Sequence, residues 1–394
     1  MSVLNKKNKE YFLNLENNSN VKNKFFDKIN QDLNKEKLII ISGIEGVGKT
    51  EIVSSYIKSI NKTNATLYFN TDIDIYGKIK EKKDLEKMIE FYIKDSEEPE
   101  FIILENIQKV LDVDLFIKDL FLSKKYKIIL IGNNIKVFGK PEIEILPDYS
   151  SKAYKSELDN ILKYGILTEK EETDSKKEYL LESITNRIIL NDIIYAFEVR
   201  NIKLFKSFTA VLATNNDYIS LRDFQKILKR YNIKTSLATT IDYMEYLISS
   251  KIIKKVAKYN VKKGKEILGK NKYFFTDIGI KNSILLYNNM DNYTLTENYI
   301  YNVLSYLGYK VYGGINGVFN FNFIAFKENT KILIYISKDS SNNDEIKSSA
   351  RKLIKTGIEG KKYIIVNNNK NLNIRENYKG VEIIKFNDFL KVIN

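Results

Sequence analysis

The stretch KLIIISGIEGVGKTEIV, residues 37–53, runs from an apolar strand through a glycine-bearing loop into a helix-period segment. Within it GIEGVGKT, residues 43–50, matches G-x-x-x-x-G-K-[ST] in the strand-to-helix setting that gives this pattern its meaning. The glycines let backbone N–H groups wrap a phosphate, and the positive end of the helix dipole faces the same point. Gly43, Glu45, Gly46, Val47, Gly48, Lys49, Thr50 and Glu51 are therefore the candidate nucleotide-binding residues. Lys49 is expected on the β- and γ-phosphates of ATP, and Thr50 on Mg²⁺.

Outward from this loop, TLYFN (66–70), FIIL (101–104), YKIILIG (126–132) and EIEIL (142–146) repeat the short apolar run. Helix-period segments such as TEIVSSYIKSI and DLEKMIEFYIKD separate the first four, so the expected fold class is α/β with a mostly parallel sheet. A lead-in helix is expected around NVKNKFFDKINQDL, and PDYSSKAYKSE reads as the exit linker. These limits put a P-loop ATPase domain at 1–150.

The strand FIIL ends in Glu105-Asn106, where many nucleotide hydrolases carry two acids. Glu105 can reach a metal-bound water and joins Thr50 as the candidate Mg²⁺ residue. Asn106 is neutral and takes no proton, so it can orient water but not activate it. The next strand ends in Gly132-Asn133-Asn134, and Asn133 is a candidate for positioning the γ-phosphate or its water. Each lost acid–base group costs about 10²- to 10⁴-fold in rate, so hydrolysis is expected to be weak or absent.

The chain then changes character. Residues 155–250 carry amphipathic helices without a strand pattern. LRDFQKILKRY (221–231) and SLATTIDYMEYLISS (236–250) precede a basic hairpin, KIIKKVAKYN to KYFFTD, which is the winged-helix order. From Arg222 to Lys272 there are 14 Lys/Arg against 4 Asp/Glu, most of the net charge of +14. Concentration of that kind points to a polyanion such as double-stranded DNA. Candidate phosphate contacts are Arg222, Lys229, Arg230, Lys234, Lys254, Lys255, Lys262 and Lys263. The second helix carries Asp242 and Glu245 and no base-reading cation, so backbone contact is the most it offers. This helical and winged-helix region spans 151–290. A last α/β unit at 291–394 holds strands near KVYGG, FNFIAF, KILIYIS and KKYIIVN.

Composition excludes several chemistries. Zero Cys and zero His remove disulfides, thiolate metal sites, zinc hydrolysis and histidine triads. No apolar run approaches the roughly 18 residues that span a bilayer, and MSVLNKKNKEYF lacks a signal-peptide core. A cytoplasmic protein is expected, with no membrane partner.

These motifs together resemble bacterial and archaeal P-loop ATPases of the AAA type. In that family the ATPase domain precedes a winged-helix region and a restriction-endonuclease-like domain of unknown function. LENIQ keeps Ile107 and Gln108 of the family's D-E-I-Q. Asn191 to Ile193 resemble its R-D-I, KYFFTDIGI its K-x-Y-F-x-D-x-G-L, and Glu297-Asn298 its E-N. The resemblance implies a small C-terminal nuclease-like α/β domain at 291–394. Departures fall on chemical positions: Glu45 stands where the family usually has Arg, and Asn322 where the nuclease core has Asp. LIYISK lacks the acid that would complete a Mg²⁺ pair, so nuclease activity is not expected. Arg187 and Arg200 are the nearest candidates for an arginine finger.

The expected function is an ATP-binding, slowly hydrolysing AAA-type ATPase that couples nucleotide state to DNA through the basic winged helix. The alternative is a nucleotide-dependent switch or scaffold that acts on a protein partner or on copies of itself, without DNA.

Overall fold

The computed structural model describes residues 2–15, 22–73, 79–95, 98–135, 137, 139–149, 158–168, 171, 173–288, 290–338, 342–366 and 375–393. The chain divides into two compact units, residues 1–145 with 188–198, and residues 146–187 with 199–394.

The first unit is built on five strands: β1 (Leu38–Ser42), β2 (Thr66–Asn70), β3 (Phe101–Glu105), β4 (Lys127–Ile131) and β5 (Glu142–Glu144). Their order is β2-β3-β4-β1-β5, and every pairing is parallel. Strand alternation explains the near-continuous apolar sequence. Leu38, Ile40, Ile102, Leu104, Ile128 and Leu130 pack on one face with α4 (Lys82–Asp95) and α5 (Val113–Leu122). Ile39, Ile41, Ile103, Ile129 and Ile131 pack on the other with α2 (Lys22–Glu36) and α3 (Lys49–Ser59). Both faces are buried, which requires apolar residues at odd and even positions alike. A further helix, α1 (Ser2–Asn14), places Phe12 in the second of these clusters. Because β4 lies between β1 and β3, the ends of these three strands meet at the carboxyl edge of the sheet, where ligands of open α/β sheets bind.

The second unit holds an eight-stranded mixed sheet with the order β12-β13-β11-β10-β9-β8-β6-β7. Two strands, β6 (Ile253–Asn260) and β7 (Lys265–Phe275), form the basic hairpin; β6 also pairs in parallel with β8 (Lys310–Asn316). The remainder are β9 (Phe319–Lys327), β10 (Thr330–Ile336), β11 (Lys361–Val366), β12 (Arg375–Tyr378) and β13 (Val381–Lys385). The helices of this unit are α6 (Leu158–Tyr164), α7 (Asp174–Arg187), α8 (Ile202–Thr214), α9 (Leu221–Arg230), α10 (Leu237–Ser249), α11 (Ile278–Ile284), α12 (Asn292–Tyr306), α13 (Asn343–Ile354) and α14 (Phe386–Ile393). Ser220 and Ser236 cap α9 and α10 by accepting from Asp223 N and Thr239 N at 3.1 and 3.0 Å. This yields the two short helices and hairpin expected from residues 221–275.

The KYFFTDIGI segment works here as a structural joint. Asp277 is fully enclosed, accepting from the Tyr149 hydroxyl, Ile166 N and Ile280 N at 2.8, 3.1 and 3.1 Å. A Cβ on Gly279 would stand 2.1 Å from Tyr164 O, so only glycine fits. Asn298 clamps β7 by accepting from Phe275 N and donating to its carbonyl. Asn322, at the expected acid position, donates to Glu297 at 3.0 Å and accepts from Ile336 N at 2.8 Å; Lys272 pairs with the other Glu297 oxygen. Among the described residues no group of three acids, Cys or His could hold a metal ion.

Candidate nucleotide site

The loop between β1 and α3 closes through glycine. Gly43 has φ 144°, and a Cβ there would lie 2.5 Å from Ile145 O; Gly48 caps α3 with φ 91°. Side chains rarely tolerate either angle. Gly43→Ala is therefore expected to displace the loop, weakening ATP binding at least tenfold and lowering stability by roughly 1–3 kcal/mol. Calorimetric titration and thermal unfolding of that variant check both effects.

Lys49 begins α3, and its ammonium donates to Gly43 O and Ile44 O at 2.9 and 3.0 Å. These loop carbonyls hold the cation where a phosphate would exchange with them. Thr50 is buried and donates its hydroxyl to Glu105 Oε1 at 2.7 Å; the Tyr68 hydroxyl donates to Oε2. Burial pushes the Glu105 carboxyl up, opposed by these two hydrogen bonds and by the Lys49 charge. The Thr50 hydroxyl and Glu105 carboxylate form a hard-oxygen pair at the loop, which fits Mg²⁺ held chiefly by phosphates and water. Glu45 and Val47 are half-buried in the loop and Gly46 is exposed at its tip. The Glu45 carboxylate is close enough to raise the acids beside it, Glu105 and Asp192, so it also opposes an incoming phosphate. Glu51 follows in the first turn of α3.

Asn133 links the loop to a residue that sequence reading missed. Its Oδ1 accepts from Gly43 N at 3.1 Å, and its Nδ2 donates to Asp192 Oδ2 at 3.1 Å. Asn134 donates to the Asp192 carbonyl at 3.0 Å. Asp192 lies in a π-helical run, Ile188–Tyr195, a rare geometry often found at functional sites. Enclosure of its carboxyl pushes its pKa up to about 6, against the hydrogen bond from Asn133 and the Lys49 charge. Its only sequence signal was the Asn191-Asp192-Ile193 match.

Glu105, Thr50, Lys49 and Asn133 are thus brought together. Asn106 is turned aside: it sits at φ 57° and donates its amide to Asp72 Oδ2 at 2.7 Å, beside the Lys109–Asp72 ion pair. Arg187 and Arg200 both belong to the second unit.

A curated relative, an uncharacterized protein of Haemophilus influenzae, is 23% identical over 354 residues, covering 81% of this chain and 88% of its own. Among solved structures, the Walker-type ATPase paby2304 of Pyrococcus abyssi superposes with a TM-score of 0.45 at 12% identity, covering 66% of this chain and 95% of that one. The Aeropyrum pernix ORC1 protein in complex with DNA gives 0.29 at 10% identity, covering 70% and 94%. DnaA from Aquifex aeolicus bound to AMPPCP gives 0.26 at 13%, covering 57% and 87%. No helix among the described residues is long and apolar enough to cross a membrane. Residues 165–291 match a domain of unknown function (DUF8612), and residues 35–151 match the AAA domain model, so the P-loop and the parallel sheet around it are those of an AAA-type ATPase domain.

Proposed function

We propose that this protein binds ATP with Mg²⁺ in its AAA domain, hydrolyses it slowly, and couples the bound state to DNA through the basic segment 222–272. The observation that carries the first part is the Lys49–Thr50–Glu105 group assembled at the loop. Lys49 and the loop amides would hold the phosphates, while Thr50 and Glu105 would hold Mg²⁺, which supplies charge neutralisation on the phosphates. Slow turnover follows from Asn106, whose amide is turned to Asp72 and accepts no proton. Asp192 is the acid left beside the loop. At neutral pH a group with a pKa near 6 is mostly ionised and still basic enough to take a proton from water. Single-turnover hydrolysis at saturating ATP and Mg²⁺ tests this reading; a rate above about 1 s⁻¹, the low end of ordinary enzymes, would contradict it.

The DNA part rests on charge and exposure. Lys262, Lys263 and Lys265 are exposed at the turn of the β6–β7 hairpin, with Arg222, Lys229 and Arg230 exposed on α9. Replacing the three turn lysines with serine is expected to lower the slope of log affinity against log salt by roughly 2 to 3 on duplex DNA. Fluorescence anisotropy over a salt series measures it. Absence of binding even at low salt would favour the second reading, a nucleotide switch acting on a protein partner. That reading is supported by α10, which exposes Asp242 and Glu245 and carries no Lys or Arg.

A further inference from the structure

Within the second unit, the end of α8, helix α11 and the start of α12 line a cavity of about 260 Å³ that opens to solvent past Tyr231 and Met290. That is near the lower edge of small-molecule pockets, roughly 300–1,000 Å³. Lys281 lines it, 6% exposed, and among the described residues its ammonium makes one hydrogen bond, to Asn216 Oδ1 at 3.2 Å. No carboxylate forms an ion pair with it among the described residues. A buried ammonium left with two spare donors is costly, and an apolar residue of the same length would be cheaper for the fold alone. Burial and the nearby Lys272 charge lower its pKa to about 8, against the pull of the Glu297 and Asp291 carboxylates.

The rest of the lining defines what would satisfy this amine. Asn282 is fully buried on the cavity wall, donating to Leu162 O and Lys163 O, while its Oδ1 has no hydrogen-bond partner. Asp291 and Thr294 also line the cavity; the Thr294 hydroxyl donates to Asp291 O, leaving its oxygen to accept. The Asn282 oxygen is itself sealed from the cavity, so the site offers one cationic donor with Thr294 and Asp291 as acceptors. Leu285, Met290 and Leu295 supply an apolar wall.

We propose that this cavity binds a small carboxylic acid with a hydrogen-bond donor on the adjacent carbon, a 2-amino or 2-hydroxy acid with a short apolar side chain. The carboxylate pairs with Lys281, the neighbouring donor meets the acceptors, and the side chain lies against Leu285, Met290 and Leu295. Its lining residues belong to the second unit and the phosphate loop to the first, so this site is separate from the loop and independent of its reading.

Titration calorimetry of the full chain with L-leucine, 2-hydroxy-4-methylpentanoate, 4-methylpentanoate and 4-methylpentanamide tests it. Leucine or the hydroxy acid is expected to bind at millimolar concentration or tighter. Loss of the donor in 4-methylpentanoate, or of the charge in the amide, should each weaken binding roughly tenfold. Lys281→Met should abolish binding while leaving the unliganded melting temperature equal or higher, which a purely structural lysine would not do. No binding by either donor-bearing acid, or equal binding by Lys281→Met, overturns the proposal. If that variant fails to fold, the acid-against-amide comparison on the wild-type protein still decides: equal affinities overturn it.

Discussion

Replacing Lys49 with alanine is expected to weaken ATP binding by about 100-fold, whether or not Mg²⁺ is present. A charge-assisted hydrogen bond contributes roughly 1.5–3 kcal/mol, and the lysine would face phosphates as a point charge in a half-enclosed loop. The substitution also frees Gly43 O and Ile44 O, which now accept from the ammonium. Both residues are buried, so the freed carbonyls cost roughly 1–3 kcal/mol of stability, and thermal unfolding of the variant separates that cost from the loss of affinity. Thr50→Ala provides the contrast. It removes the hydroxyl that meets Glu105 but leaves the loop charge, so its loss of affinity should appear only with Mg²⁺. Calorimetric titrations of the two variants, with and without the metal, separate the roles. Unchanged affinity in Lys49→Ala would remove the basis for placing phosphates at this loop.

The loop was legible in sequence because its chemistry is local: an apolar strand, glycines at required turns, and a lysine one step into a helix. The parallel sheet was legible for a related reason, since strands buried on both faces read as continuous Ile/Leu runs. Strand order was not, because Ile39, Ile103 and Ile129 are chemically interchangeable and parallel strands carry no hairpin to set their neighbours. The helix α1 was missed because its segment, SVLNKKNKEYFLN, is largely polar; among its described side chains Phe12 joins the core and Asn8 is buried, accepting from Asn70 N. Edge strand β12, Arg375–Tyr378, escaped because RENY carries no apolar alternation. The residues of KYFFTDIGI and Glu297-Asn298 were visible as motifs, but their work is to hold β7, α11 and α12 together, which only the hydrogen-bond partners reveal. Asp192 was the least legible of all. It is carried to the phosphate loop by tertiary packing, and the Asn191-Asp192-Ile193 match does not show which partners it meets there.

Asp192→Asn is therefore the substitution with the most to say about catalysis. Loss of a general base costs about 10²- to 10⁴-fold, so single-turnover hydrolysis is expected to fall by at least 100-fold, while ATP affinity changes little because Lys49 and Thr50 remain. The amide keeps an oxygen to accept from Asn133 Nδ2, so the link to Gly43 N is preserved and the lost rate reports on the proton acceptor. Stability supplies an independent reading. The folded protein holds the Asp192 proton to about pH 6, above the ordinary carboxylate value of 3.8. Its contribution to stability is thus complete below the unfolded value and is lost as pH rises through about 6. That difference corresponds to about 3 kcal/mol, reduced by solvent at this partly exposed side chain and by the new amide donors. Asp192→Asn should consequently be more stable than wild type by roughly 1–2 kcal/mol near pH 7.5, with no advantage near pH 4. A slower but more stable enzyme at neutral pH is the signature of an acid kept for chemistry at the expense of the fold. If turnover is unchanged while the pH-dependent stability appears as described, Asp192 is an enclosed acid beside the site and the proton goes elsewhere.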